Sequence, residues 1–369
     1  MAVEGRFATE RAFVFIDRPV DGLLNLGKRV TVFDEGDGAF RASRGNFGLI
    51  WVQSKGLNEP AYARWSQRSA AAWSDYAEEL RANSGVDVAL QQNGGFDYHL
   101  DEASLYARAQ QYEALKERLD GDYPFEILGH NQLKKEEPGI GPKVAGAILH
   151  HQDGHVNPLH LLRTLAGEVR RKGGEVKTNS HVSSVKAEAA AGYRLTTDDG
   201  TKVTADRVVL CAGLGAMTLG PALGFKAPIR PQRGQVLITE KTAPLMSRPS
   251  GNLRQVDEGG VQIGASAEEA GLDDRDTLTV TAALAAEAVQ IFPALARVKL
   301  LRNWAALRIM SPDGLPIYQQ SPTYPGVFLV TCHSGVTLSA AHARLLPAWL
   351  EGQADAPNLI PFSEARFHV

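Results

Sequence analysis

"FVFIDRPVDGLLNLGKRVTVFDEGD", residues 13–37, decides how this chain is read. An apolar strand over 12–16 is followed, after a short connector, by a second over 30–33 that runs into Asp34 and Glu35. Both are unbroken apolar runs, the pattern of parallel strands covered on both faces. The 13 residues between them are close to the minimum of a parallel crossover and leave room for a helix of about two turns. This is the outline of a nucleotide-binding βαβ unit, in which an acid after the second strand accepts hydrogen bonds from a ribose diol. The connector departs from that outline. Where glycines would let backbone N–H groups approach a pyrophosphate, the chain carries Asp17, Arg18 and Pro19. Asp17 brings negative charge to a diphosphate and Pro19 removes a donor, which leaves Gly22 as the one match to the motif's last glycine.

The rest of the chain bounds the answer. With 369 residues it can bury more than one core, and two domains are expected. A net charge of −3, no basic stripe and no interleaving of aromatic with basic residues exclude a nucleic-acid partner. Two cysteines, Cys211 and Cys332, make no disulfide framework and point to a reduced, cytoplasmic setting. No stretch reaches the roughly 20 apolar residues of a transmembrane segment, and peripheral attachment to an inner membrane stays open. There is no HExxH, paired CxxC, GxSxG or P-loop, so no metal site, hydrolase or NTPase is expected.

Further along, residues 60–83 are expected to form one amphipathic helix opening at Pro60, and about 102–119 a charged one. Residues 157–174 read as a helix capped by Asn157, with Pro158 first and Gly173 as the stop. Strands are expected through 175–213, with turns at "AAG" and "DDG", and through 228–266, followed by a helix over about 277–291. Residues 326–352 read as one strand, a sharp turn and one helix beginning near Val336. The chain thus alternates between a nucleotide-type layer and an antiparallel layer.

Several stretches are suited to chemistry. In "GVFLVTCHSGVTLSAAHARLLPAWL" a buried strand runs into Cys332, His333, Ser334 and Gly335, and a helix start there would present unpaired N–H groups to an anion. The plainer alternative is that Gly335 only lets the chain turn. In "NWAALRIMSPDGLPIY" (303–318), Arg308 stands in an otherwise apolar strand before a Pro-Asp-Gly turn. Its planar fork fits a carboxylate, and the commoner alternative is an internal ion pair with an Asp or Glu. "RASRGNFGLIW" (41–51) and "VVLCAG" (208–213) carry small residues that allow backbone to approach a ligand.

Taken in order, "VTVFDE", "RASRGNFG", "VNPLHLL…GGEVKTNSHVSSV", "RVVLCAGLGA" with "RPQRGQVL", and "WAALRIMSPDGLPI…GVFLVTCHSGVTLSAA" resemble the D-amino-acid oxidase family of flavin enzymes. The resemblance runs from about residue 28 to 352 and is closest to glycine oxidase and the bacterial hydroxyproline or opine dehydrogenase subunits. It implies an α/β fold: a Rossmann-like, three-layer FAD-binding domain with a central parallel sheet (1–92, 152–220, 303–369), interleaved with an antiparallel-sheet substrate domain (93–151, 221–302). It implies non-covalent FAD and oxidation of a small amino or imino acid.

By the same resemblance Asp34 matches the acid that holds the ribose. Ser43, Arg44, Gly45, Asn46, Phe47 and Gly48 match the loop past pyrophosphate and flavin. Val182 matches the residue whose backbone meets adenine, and Ala212 and Gly213 match a second close approach. His333, Gly335, Val336, Thr337 and Leu338 lie in the turn and helix start beneath the flavin pyrimidine, and Arg308 pairs the substrate carboxylate. Catalysis is thereby assigned to Arg308 and His333. The altered turn leaves a second reading open, a non-catalytic or weakly flavin-binding partner subunit within a hetero-oligomeric dehydrogenase.

Overall fold

A computed structural model describes residues 12–16, 21–36, 42–188 and 192–367. Asp17, Arg18, Pro19, Arg41 and the "AAG" turn up to Ala191 lie outside the described residues.

Six strands build the central sheet, in the order Ile317–Gln320, Val327–Thr331, Arg207–Leu210, Ala12–Ile16, Arg29–Phe33 and Glu175–Lys177. All neighbours are parallel except the Ile317–Gln320 edge, which pairs antiparallel. Val327–Thr331 is buried at every position and Val208, Val209 and Leu210 are fully enclosed, as the unbroken apolar runs require. Two of the antiparallel sheets that interrupt this layer bear on the site. One joins Gly95–His99, Gly146–His150 and Phe125–Gly129; the other joins Leu253–Gln255, Gly260–Gly264, Arg230–Lys241 and Leu300–Met310. The fold is therefore mixed α/β, with a Rossmann-like parallel sheet interleaved with antiparallel ones. Among the described residues, no helix is long and apolar enough to cross a membrane.

Local chemistry sets the helix starts. Glu59 accepts from Ala61 N–H at 3.1 Å ahead of Pro60, Asp101 accepts from Ser104 N–H at 2.8 Å, and Asn157 accepts from Leu159 and His160 N–H. Two expectations need correction. The 60–83 helix is two, Pro60–Ala71 and Trp73–Ser84, because Ala72 N–H bonds the Ser69 carbonyl in a tighter turn. The described part of the crossover helix runs over Asp21–Asn25. The helix expected from Val336 begins at Ser339 and stops at Arg344, and a second runs over Leu346–Glu351. Pro347 has no N–H to give the Ala343 carbonyl, so the ladder is interrupted there.

Gly22 fits into this interruption. A Cβ on Gly22 would lie 2.1 Å from the Ala343 carbonyl oxygen and 2.4 Å from Pro347. Close packing, which is the role of the last glycine in the βαβ motif, is thus kept even though the preceding glycines are absent.

Candidate active site

Two neighbouring cavities open at the carboxyl ends of the parallel strands, the usual location of ligand crevices in open α/β sheets. The larger, about 900 Å³, falls in the size range of cofactor sites and runs from Val32 and Asp34 past Ser43, Arg44 and Gly213 to Cys332, Gly335 and Val336. The smaller, about 250 Å³, is lined by Phe47, Trp51, Lys55, Arg308, His333 and Thr337 among others. Asn46, Ile309 and Val336 line both.

Asp34 ends its strand in a loop held on both sides. Its Oδ1 accepts from Gly36 N–H at 2.7 Å, its N–H reaches the Lys177 carbonyl and its own carbonyl accepts from Ser180. Asn46 Oδ1 accepts from Gly48 N–H at 2.7 Å. Gly48 has φ +86°, and a Cβ there would lie 2.5 Å from the Val156 carbonyl oxygen, so glycine is required. Gly48, Val182, Ala212 and Leu338 line neither cavity. Leu338 and Val182 are buried in the cores on either side of the parallel sheet, and Ala212 packs against the core that holds Val182.

The turn after Val327–Thr331 is pinned by Thr337. Its hydroxyl bonds Trp51 N–H and the Leu49 carbonyl, and its carbonyl accepts from Ser69 Oγ at 2.7 Å and Trp73 Nε1 at 3.1 Å. Leu338 N–H bonds the Ser334 carbonyl, whereas the N–H groups of Gly335, Val336 and Thr337 have no protein acceptor among the described residues. Thr331 Oγ1, which lies on the large cavity, is buried without a partner. Buried polar groups are nearly always paired, so Thr331 Oγ1 points to a polar ligand in this cavity, and the neighbouring N–H groups are free to donate to it. The cavity size, the ring of unpaired donors and Asp34 at the far end fit a dinucleotide.

Arg308 lies on the Leu300–Met310 strand opposite Gln232. Its Nη1 donates to the Ser266 carbonyl at 2.7 Å and to the Arg233 carbonyl at 3.4 Å, and its Nη2 and Nε have no protein acceptor among the described residues. No carboxylate pairs with it among those residues, so the internal ion pair is absent. Burial lowers its pKa, opposed by the charge of Glu268. The guanidinium lies against Gly234, where a Cβ would approach its Cζ to 2.6 Å. His333 is neutral: burial, then the charges of Lys55 and Arg308, push its pKa down to about 3. Lys55 and Gly234 were not evident from sequence, since a lone lysine in "QSKGLN" and a glycine in a strand carry no signal of their own.

A model of the family described as FAD dependent oxidoreductase (DAO) matches residues 22–349, from Gly22 onward and so beyond the altered turn. The chain belongs to this family. FAD is the cofactor of the DAO family and of this chain, and the protein is an oxidoreductase. Among DAO relatives, an opine oxidase subunit of Agrobacterium tumefaciens (strain Ach5) is 40% identical over 349 residues, covering 94% of each chain. Hydrogen cyanide synthase subunit HcnC of Pseudomonas aeruginosa is 27% identical, over 84% of this chain and 75% of its own. The crystal structure of glycine oxidase from Geobacillus kaustophilus superposes with a TM-score of 0.87 at 23% identity, covering 96% of this chain and 98% of that one, and shares the fold.

Proposed function

We propose that the protein oxidises an amino or imino acid at the bond between Cα and nitrogen, with Arg308 holding the substrate carboxylate. The observation that carries this reading is the Arg308 guanidinium, which lines a cavity beside the cofactor-sized one and has, among the described residues, no acid to pair it and no acceptor for Nη2 or Nε. Two parallel N–H···O bonds to a carboxylate fit that fork. Bound FAD supplies the acceptor for the hydride leaving Cα. Asp34, Ser43, Arg44, Asn46, Gly213 and the amides of Gly335, Val336 and Thr337 are the residues we assign to holding it, without a covalent bond, while Gly48, Val182, Ala212 and Leu338 line neither cavity and support those residues from behind. Phe47, Trp51, Val236, Ala306 and Ile309 wall the smaller cavity and keep water from the reacting carbon.

No Asp or Glu lines that cavity among the described residues, and His333 is neutral. The substrate amine therefore enters deprotonated, and its own lone pair drives imine formation. His333 orients substrate by hydrogen bonding rather than by exchanging a proton. Because the opine oxidase relative and HcnC are both called subunits, we extend to this chain the reading that it works alongside a second polypeptide. The missing glycine cluster favours one rival, a subunit that binds flavin weakly and does not turn over.

An absorption spectrum recorded anaerobically, before and after a panel of amino and imino acids, separates the two. Bleaching of the flavin bands is expected. Protein that is colourless and stays so after incubation with FAD would defeat the proposal.

A further inference from the structure

The smaller cavity holds a second cation. Lys55 is half-buried, and its Nζ donates to Ser334 Oγ at 2.8 Å while lying 5.8 Å from the Tyr62 ring centre. Tyr62 OH donates to the same Ser334 Oγ at 2.9 Å. Lys55 makes no ion pair among the described residues. The main opposing charge acting on it is that of Asp153, whose oxygens accept from Val52 N–H at 2.5 Å and Gln53 Nε2 at 2.9 Å. Burial, against that charge, pushes the Lys55 amine down to about 8, so near neutral pH it is mostly a cation. Arg308 lines the same cavity, no acid among the described residues does, and the charges of both cations act on His333. A 250 Å³ cavity walled by two cations and no anion is costly to desolvate unless its ligand supplies the missing charge. One substrate carboxylate balances Arg308 and leaves Lys55 with no charged partner inside the cavity.

We infer that Lys55, set by Ser334 and Tyr62, is a specificity-determining residue that binds a second carboxylate, so that the site selects dicarboxylic amino or imino acids. The inference rests on the carboxylate role proposed for Arg308 and adds a second anchor to it. The two anchors fix both ends of one ligand, which orients the carbon between them better than a single ion pair does.

Calorimetric titration of the full-length, flavin-loaded protein with glutarate and with butyrate tests this without turnover. Glutarate carries two carboxylates, butyrate one, and neither has an amine to oxidise. Wild type is expected to bind glutarate roughly 30-fold more tightly than butyrate, on the scale of losing one partner of a desolvated charge pair. Lys55→Met should bind the two alike with butyrate affinity unchanged, and Lys55→Arg should restore a preference. Lys55→Gln carries the same test if the methionine variant does not fold. Equal affinities in wild type, or equal weakening of both ligands in Lys55→Met, would overturn the inference. Butyrate binding that vanishes in Arg308→Ala leaves the parent reading standing in that case. Butyrate binding indifferent to Arg308, or neither acid binding wild type, removes both.

Discussion

Arg233 and Arg308 stand one rung apart on paired strands, and they are solved in opposite ways. Arg233 faces the segment that carries Glu268 and Asp273 and forms ion pairs with them at 2.7 and 3.1 Å. Arg308, which pairs with Gln232 across the ladder and lays its guanidinium against Gly234, donates only to carbonyl oxygens among the described residues. A buried guanidinium normally comes with its acid because an uncompensated charge costs stability. Among the described residues the acid is present for one and absent for the other within a single sheet, which is the difference that the carboxylate role proposed for Arg308 requires.

The largest effect should separate the two directly. Arg308→Ala is expected to lower kcat/KM for a carboxylate substrate by about 2 to 5 kcal/mol with no loss of melting temperature. A KM equal to wild type would assign Arg308 to structure. Arg233→Ala should do the reverse, losing roughly 1 to 3 kcal/mol of stability through the unpaired Glu268 while KM moves little. Denaturant unfolding measures this, and an unchanged midpoint would contradict it. A smaller effect is expected of Gly234→Ala. Its Cβ would overlap the far end of the Arg308 side chain, which can swing aside, so stability should hold while KM rises by about 1 kcal/mol. If stability fell and KM held, the guanidinium would not be free to move.

The least change is expected at His333. Its pKa near 3 keeps it neutral, so His333→Asn should leave the shape of the kcat/KM profile between pH 5 and 8 as it was. Stability behaves differently. Between about 3 and 6.5 the unfolded chain binds a proton on this residue that the native one does not, so the fold loses stability as pH falls through that window. The variant should lose less on acidification, which melting curves at pH 7 and 5 would show. A steeper loss in the variant would mean that His333 is charged in the native state.

The parallel sheet was legible because its strands are unbroken apolar runs, and the helix starts because Asn157, Pro60 and Pro158 act over a few residues. The break at Ala72 was not, since only a single hydrogen bond shifts in an otherwise helical sequence. Nor was the interruption at Leu345: Pro347 was visible, but its consequence depends on Gly22, far away in sequence, packing against the freed Ala343 carbonyl. Arg308 was legible as an odd charge in an apolar strand, though sequence left open whether an acid would meet it. Lys55 could not be found, because its setting is made by Ser334, 279 positions away.

The account depends on a direct bond between Arg308 and the carboxylate, and a cycle on both partners measures it. Anaerobic flavin reduction would be followed with one substrate and with the same substrate amidated at its α-carboxylate, in wild type and in Arg308→Ala. Amidation should slow wild type far more than the variant, giving a coupling of roughly 2 kcal/mol or more. An equal penalty in both proteins would contradict the account.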